Sequence, residues 1–369
     1  MKKLITILSL AVVGFTSAQE QEPTFTVSGS IDAYFRANLT SSNDGGANTI
    51  LGEQGDFSAF NNDSGFSLGL ANVNFSYEGE KVGFVADLAM GQRADEYNGA
   101  GNIVNEAYMY WNATDKMTLQ MGRFNNWMGF EELSAAKNFH YSMSHMYSFT
   151  VRNFNGLVGR FDLGNDWGLG VGLMNPVNVI QGNQNSSGAY SIAAGVWKGK
   201  TGLSFLASQE TSYIDFKTAF DVSDSFSVAL NAHKADFGVG GDAYQTIPLG
   251  GGVYLHEGFT SISAYPQYKT SDNLSWGMRL EYMMFDMGAF YVEDGLNVFS
   301  PTLTANYTVG ALTIKPELRL DAASEDVFFD NDGAAAGGLT AFNLAAVYSF
   351  QTIKFIKIKK GASRFPFFI

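Results

Sequence analysis

The stretch ALTIKPELRLD, residues 311–321, alternates between two kinds of side chain. The apolar set is Leu312, Ile314, Pro316, Leu318 and Leu320. The polar set is Thr313, Lys315, Glu317, Arg319 and Asp321. A repeat of two residues predicts a β-strand with two unlike faces. In a soluble sandwich the charged face would meet water, whereas in a transmembrane barrel it would line the lumen while the apolar face met lipid.

The same alternation recurs between residues 25 and 350, and the links between the alternating segments are of two kinds that take turns. The short links are 79–81, 114–116, 164–166, 198–200, 223–225, 271–273 and 309–310. The long links are 39–64, 92–102, 124–154, 175–187, 209–212, 235–257, 286–296 and 322–337. Short periplasmic turns and long extracellular loops produce this rhythm in membrane barrels. The predicted fold is therefore all-β, a transmembrane antiparallel up-and-down β-barrel of about 16 strands.

Residues 1–18 have the order of a secretory signal peptide. Lys2 and Lys3 precede an apolar run from 4 to 15, and small residues lead to Ala18. The run is too short to span a bilayer, and the alternative of a buried first helix does not explain the order of basic, apolar and small residues. We expect Sec-type export, cleavage near Ala18 and an outer-membrane location.

Composition supports this class. Gly (41), Phe (31) and Tyr (17) are abundant, Pro is scarce (7), Cys is absent, and mean hydropathy is −0.04. The net charge is −13, and without Lys2 and Lys3 there remain 21 basic and 36 acidic residues, a charge of −15. Nucleic-acid binding needs a basic surface, so we do not expect a nucleic-acid partner. The lack of Cys excludes disulfides and thiolate chemistry.

The domain organisation follows from these segments: a signal peptide at 1–18, a barrel at 19–350 and a basic tail at 351–369. The last alternating segment ends on Phe350, with Tyr348 two residues earlier. Such an ending resembles the signal by which outer-membrane barrels engage the barrel-insertion machinery. The tail contains basic residues and no acid. We expect it to be periplasmic or weakly ordered, while pairing as an irregular segment and an accidental extension of the reading frame stay open.

One long link carries a family resemblance. The stretch contains Gly122-Arg123-Phe124, then Gly129-Phe130-Glu131, then Asn138 and Tyr141-Ser142, and a strand opens at Phe154-Asn155-Gly156. This run resembles the OmpL-like β-barrel outer-membrane porin family. The resemblance implies a pore for passive diffusion of small hydrophilic solutes.

The same link supplies the candidate constriction. We predict a short helix over Glu131–Lys137 within it. If the link folds into the lumen, charges at the narrowest point would select solutes by sign. The candidate constriction residues are Arg123, Glu131, Glu132, His140 and Tyr141. The alternative is a link that packs on the barrel rim, where Arg123 would pair with Glu131.

The alternation of inward and outward positions along each strand, here called strand parity, predicts which charges face the lumen. These are Asp32, Arg36, Asp87, Glu106, Arg160, Asp162, Asp215, Lys217, Arg279, Glu281, Lys315, Glu317 and Arg319. A barrel of about 16 strands is wide enough for an aqueous channel. The mixed charges would either hold water there or form a salt-bridged plug.

The predicted function is passive transport without a cofactor, a metal or a reaction. The expected partners are outer-membrane lipids, small polar solutes and the insertion machinery, and association with further copies of the chain stays open. A closed-lumen barrel that binds or adheres through its surface loops is the alternative function. A hydrolase using His140 or His145 with a nearby serine is a third hypothesis, but no G-x-S-x-G motif marks the region. A metal at these histidines lacks an evident third ligand.

Overall fold

The structure is a computed structural model. It describes residues 23–43, 64–99, 101–175, 190–208, 211–237, 258–286 and 295–355. The predicted signal peptide and the end of the predicted tail lie outside these residues.

Eighteen strands and two helices lie in the described ranges, numbered here in chain order. The strands are β1 (Thr24–Asn38), β2 (Gly65–Glu78), β3 (Val82–Met90), β4 (Val104–Thr114), β5 (Met117–Asn125), β6 (Asn153–Gly164), β7 (Trp167–Met174), β8 (Ser191–Lys198), β9 (Thr201–Ala207), β10 (Ser212–Asp221), β11 (Phe226–Asp236), β12 (Gly258–Lys269), β13 (Leu274–Phe285), β14 (Leu296–Val309), β15 (Leu312–Ala323), β16 (Phe328–Phe329), β17 (Ala335–Ala336) and β18 (Gly338–Phe355). The helices are α1 (Gln92–Asn98) and α2 (His145–Phe149).

Sixteen of these strands form one closed barrel, in which each strand pairs with its sequence neighbours and β18 closes the ring between β15 and β1. All the pairings are antiparallel, and β16 and β17 form a separate two-stranded hairpin. Short turns connect the strands at one end of the barrel, here the short-turn end, and long links connect them at the other, the long-loop end. The predicted fold class and the strand count are confirmed.

Strand β15 answers the question raised by its alternating sequence. The side chain of Arg319 is 0% exposed, whereas that of its neighbour Leu318 is 46% exposed. The buried residues are the charged ones, and the exposed ones are apolar. This is the reverse of a soluble sandwich and the arrangement that a lipid environment requires.

A tight turn illustrates how sequence sets the short-turn end. Asn165 and Asp166 join β6 to β7 with φ angles of 53° and 63°. Two consecutive positive φ angles are typical of the type I′ hairpin turn, and Asn and Asp tolerate this conformation better than other non-glycine residues. The predicted short link at 164–166 is therefore a two-residue hairpin.

The final strand differs from its predicted end. It continues past Phe350 to Phe355, because the start of β1 offers further pairing partners. Thr24 lies opposite Phe355, and Ser28 lies opposite Gln351. The boundary drawn after Phe350 is thus five residues too early for the strand, and residues 356–369 lie outside the described ones.

An apolar core lies inside the barrel near the long-loop end. In α2, the ring centroid of Phe149 is 5.1 Å from that of Phe285 on β13. Phe124 and Phe154, at the ends of β5 and β6, approach to 6.1 Å. Among the described helices, none combines the length and apolar character needed to cross a membrane.

Candidate functional site: the inner loop and the open side of the lumen

The link between β5 and β6, residues 126–152, is here called the inner loop. Glu317 on β15 accepts hydrogen bonds from the backbone N–H of Tyr141 at 2.7 Å and of Ser142 at 3.0 Å. Strand β15 lies six strands away from β5 by the shorter way around the barrel. A loop that starts at β5 and bonds to the inward face of β15 therefore crosses the lumen.

A second wall carboxylate holds α2. Glu281 on β13 accepts from the backbone N–H groups of His145 and Met146, both at 2.8 Å. Ser144 caps the same helix by accepting from the N–H of Tyr147 at 3.0 Å. The first N–H groups of a helix lack partners within it, so an anionic side chain there is stabilising.

The buried guanidinium of Arg279 joins the inner loop to β13. It donates to Glu131 at 2.7 Å, to the carbonyl of Ser142 at 2.7 Å and to the carbonyl of Met143 at 3.1 Å. A buried ion pair is tolerated when further hydrogen bonds satisfy both ions, as they do here. The alternative prediction, in which Glu131 pairs with Arg123, is therefore wrong, because the partner of Glu131 is Arg279.

Arg123, a predicted constriction residue, makes its hydrogen bonds outside the inner loop except for those near the loop's ends. It shares the strand parity of Met121, which is 61% exposed on the outer face. Its guanidinium donates to the carbonyl of Asn105 and to the side-chain oxygens of Asn98 and Asn153, each at 3.0 Å. These bonds tie the ends of strands and α1 together, so we assign Arg123 a structural role at the rim.

The helix predicted over Glu131–Lys137 is also wrong, since this segment forms bends and a turn closed by the N–H of Lys137 on the carbonyl of Ser134 at 3.0 Å. The loop's helix is α2 instead. Glu132 pairs with Lys137, and its side chain is 41% exposed, compared with 6% for Glu131. The two adjacent glutamates therefore have different environments.

His140 is buried against the β14 wall. Its Nδ1 lies 2.7 Å from the hydroxyl of Thr304. Burial, together with the positive charges of Arg279 and Lys315, holds the pKa of His140 well below its ordinary value. The imidazole is thus neutral near pH 7 and packs as part of the anchored loop.

Tyr141 anchors the loop from the opposite direction. Its hydroxyl donates to Asp32 on β1 at 2.7 Å, and its ring lies under the guanidinium of Arg93 at 4.8 Å from the centroid. Arg93, on α1, also donates to the carbonyls of Leu133 and Tyr141. Sequence reasoning missed Arg93, because it lies in a link with no alternation to mark its direction.

The histidine and serine side chains of the hydrolase hypothesis have other partners. Arg319 donates to Nε2 of His145 at 2.9 Å, and Asp321 lies 3.4 Å from the same nitrogen. The hydroxyl of Ser144 donates to Glu131. Across the described part of the chain, no group of three or more potential metal-ligating side chains is present.

The charges predicted to face the lumen all lie on inward strand positions, but their surroundings differ. Eight form hydrogen bonds with the inner loop: Asp32, Asp215, Lys217, Arg279, Glu281, Lys315, Glu317 and Arg319. The others bond elsewhere: Arg36 to Asn38, Asp87 to Asn72 and Asn105, Glu106 to Asn125, Arg160 to Gln120 and Asp162 to Gly164. Asp162 is exposed at the short-turn end.

Between the inner loop and the β4–β6 wall lies a cavity of about 560 Å³, here called the open side. Its polar lining includes Glu106, Gln120, Arg160, Lys217, Glu132 and Lys137. A second cavity of about 330 Å³ lies at the short-turn end below it. Arg160 is in the lining of both cavities.

Strand β7 presents glycine backbone to the barrel interior. Its inward positions are Gly168, Gly170, Gly172 and Met174. A Cβ on Gly168 would lie 2.1 Å from the indole nitrogen of Trp197, and one on Gly170 would lie 3.1 Å from the ring of Trp127. The indole rings thus pack on backbone, which needs glycine. The repeat G-x-G-x-G at residues 168–172 is the feature of the sequence that marks this close packing of rings on backbone.

These features define a class: an outer-membrane barrel with an apolar exterior, a polar interior and a loop folded into its lumen. Residues 24–350 match the family described as beta-barrel porin-2, OmpL-like, and the chain belongs to this family. The resemblance, the porin function and the outer-membrane location expected from the sequence are confirmed. A comparison with curated proteins gave no significant match.

Solved structures share the fold. The outer membrane channel DcaP of Acinetobacter baumannii has a TM-score of 0.55 and 14% identity, covering 92% of this chain and 100% of its own. Salmonella typhi OmpF in complex with daunomycin has a TM-score of 0.55 and 9% identity, covering 90% and 100%. OmpT of Vibrio cholerae, in a trimer form, has a TM-score of 0.54 and 10% identity, covering 89% and 100%.

Proposed function

We propose that this porin forms a water-filled channel through which small hydrophilic solutes or ions diffuse passively along the open side of the lumen. The observation that carries the proposal is the cavity of about 560 Å³ between the inner loop and the β4–β6 wall, with ionic side chains from both. Charged groups around a confined aqueous path favour hydrated solutes and select them by charge.

The inner loop gives this path its narrow cross-section. Carboxylates and arginines on β13 and β15 hold the loop against one wall by its backbone and side chains. The space left on the other side is bordered by side chains of β4, β5, β6 and β10, among them Tyr108, Gln120 and Lys217. Transport of this kind involves no bond-making step, so we propose neither an enzyme activity nor a cofactor.

Delivery to the membrane belongs to the same proposal. We propose Sec-type export with removal of residues 1–18, followed by recognition of the last strand by the barrel-insertion machinery. The aromatic Tyr348 and Phe350 face outward on that strand and are 47% and 41% exposed. Assembly of several copies is compatible with the trimer form of the Vibrio cholerae neighbour.

A second candidate is a closed barrel that binds or adheres through its surface loops. The apolar core at the long-loop end supports it, because Phe149, Phe285 and their neighbours occupy space that a wider channel would leave to water. The two candidates differ in one measurable property, which is ion conduction.

The deciding experiment is planar-bilayer recording of the purified mature protein, refolded in detergent and checked for barrel formation by circular dichroism. Stable single-channel steps, with a reversal potential that depends on a salt gradient, are expected. Electrical silence from correctly folded and inserted protein would overturn the channel and favour the closed barrel. Monodisperse folded protein in buffer without detergent would contradict both.

A further inference from the structure

Two ionic side chains of opposite sign on the open side keep hydrogen-bonding atoms unused. The Nε of Arg160 donates to Gln120 at 3.1 Å, and its guanidinium lies over the ring of Trp127 at 5.4 Å. These contacts orient the guanidinium, yet its two terminal nitrogens have no partner among the described residues. Glu106, which is in the cavity lining, accepts from the N–H of Asn125 through Oε1 at 2.8 Å, and its Oε2 has no hydrogen-bond partner among the described residues.

Other ions around the same cavity have protein partners. Lys217 donates to two carbonyls of the inner loop, and Lys137 pairs with Glu132. Arg152 donates to backbone carbonyls of α1. A solute that enters the cavity therefore finds its strongest unused donor at Arg160, whose planar guanidinium suits a carboxylate.

Glu106 and Arg160 are separated along the channel rather than paired. Glu106 lies next to Ala107, which opposes Arg123 near the long-loop end of β4, whereas Arg160 opposes Thr118 toward the short-turn end. No ion pair joins the two among the described residues. A solute moving inward meets the carboxylate first and the guanidinium second.

The second cavity adds acids beyond Arg160. Asp115, Asp162 and Asp166 line it together with Lys116. The path therefore presents an acid, Glu106, then a base, Arg160, and then three acids with one further base, Lys116. A simple anion is repelled at both ends of this series, and a simple cation is repelled at its centre, whereas a solute with both charges can satisfy each group in turn.

We infer that the channel preferentially binds and passes small zwitterions of the amino-acid and short-peptide class, with the carboxylate at Arg160 and the ammonium at Glu106. The inference rests on the proposed channel function and adds its solute class. Binding at such a site must be weak enough to permit release, so it speeds passage most at low solute concentration.

The test uses four forms of one dipeptide with nearly equal size: free dialanine (zwitterion), N-acetyl-dialanine (anion), dialanine amide (cation) and N-acetyl-dialanine amide (neutral). Efflux of each labelled compound from proteoliposomes is measured at low concentration. Two weak ionic contacts correspond to a preference of about threefold or more for the zwitterion over the neutral form.

Two variants assign the charges. Arg160→Gln should abolish the preference of dialanine over its amide, and Glu106→Gln should abolish the preference over the acetylated form. Arg160→Lys, which keeps the charge without the planar fork, should retain part of the first preference. Asp224→Asn, in an exposed short turn, is the control and should change none of them.

The outcomes separate the inference from the function on which it rests. Efflux of the neutral form without faster efflux of dialanine would overturn the zwitterion site and leave the channel standing. An unchanged preference in both folded variants would overturn the site as well. Retention of all four compounds would overturn the channel itself.

Discussion

The two sides of the lumen carry the same kinds of residue and use them differently. On the packed side, β13 and β15 direct Arg279, Glu281 and Glu317 into the inner loop, where each bonds to several loop groups. On the open side, Glu106 and Arg160 each make one hydrogen bond to a neighbouring strand and otherwise face a cavity.

The difference teaches that an inward charge is not by itself a channel charge. A buried ion is stable only when hydrogen-bonding groups replace its water. The loop backbone supplies such groups to the ions of the packed side and to Lys217, but not to Glu106 or Arg160. We therefore expect changes on the packed side to act on stability and changes on the open side to act on permeation.

The largest effect is expected from Arg279→Ala. The change leaves the carboxylate of Glu131 buried without its cation and frees two loop carbonyls. Loss of one partner of a buried ion pair costs about 3–5 kcal/mol. Equilibrium unfolding in urea, followed by tryptophan fluorescence in lipid vesicles, measures it. Arg160→Ala is the matched control, with an expected loss below about 1 kcal/mol. Equal losses would erase the distinction between the sides.

The adjacent glutamates sharpen the comparison within the loop itself. Glu131→Gln removes a buried partner of Arg279 and should lower the free energy of unfolding by about 1–3 kcal/mol. Glu132→Gln removes an exposed pair with Lys137, for which a loss of about 0–1 kcal/mol is expected.

The same two glutamates also give a prediction for ion selectivity. Replacing both by glutamine should lower the preference of the channel for cations, measured as a shift in reversal potential, and we assign this shift to Glu132. A shift produced by Glu131→Gln alone would show that the packed side also faces the channel.

The last effect concerns acid pH, and it develops only as the pH falls below about 6.5. The pKa of His140 is depressed in the folded state by burial and by the nearby cations. Below its unfolded value of about 6.5 the unfolded chain binds one more proton at this site, so stability falls as pH decreases. The slope from this residue is about 1.4 kcal/mol per pH unit. The free energy of unfolding is measured between pH 6.5 and 5 for the wild-type protein and for His140→Asn. The difference between the two slopes gives the contribution of His140, because the other titrating groups contribute equally to both proteins. Identical slopes would mean that His140 takes up its proton in the folded barrel.

The sequence predicted the barrel well because its signals are local. Alternation in β15 identified the faces, and the two kinds of link identified the strand count. The inner loop was less predictable. The helix of the inner loop is α2 and not Glu131–Lys137. The first N–H groups of α2 donate to Ser144 and to Glu281, and Glu281 lies on a distant strand that local sequence cannot reveal.

Arg123 shows the limit of motif reasoning. Its position beside the loop suggested a constriction role, yet strand parity places it with Met121 on the outer face. The contact of Phe149 with the apolar core was missed for a related reason: Phe149 lies in a link, where alternation does not show what a side chain will contact.

The sequence by itself determined the strands, their inward and outward faces and the membrane as their environment, because a period of two residues separates apolar from ionic side chains along the chain. Only the tertiary structure decided which ionic groups are held by the loop and which face a cavity. Glu131 meets Arg279 across 148 residues of chain, and no local pattern encodes a contact that barrel closure creates.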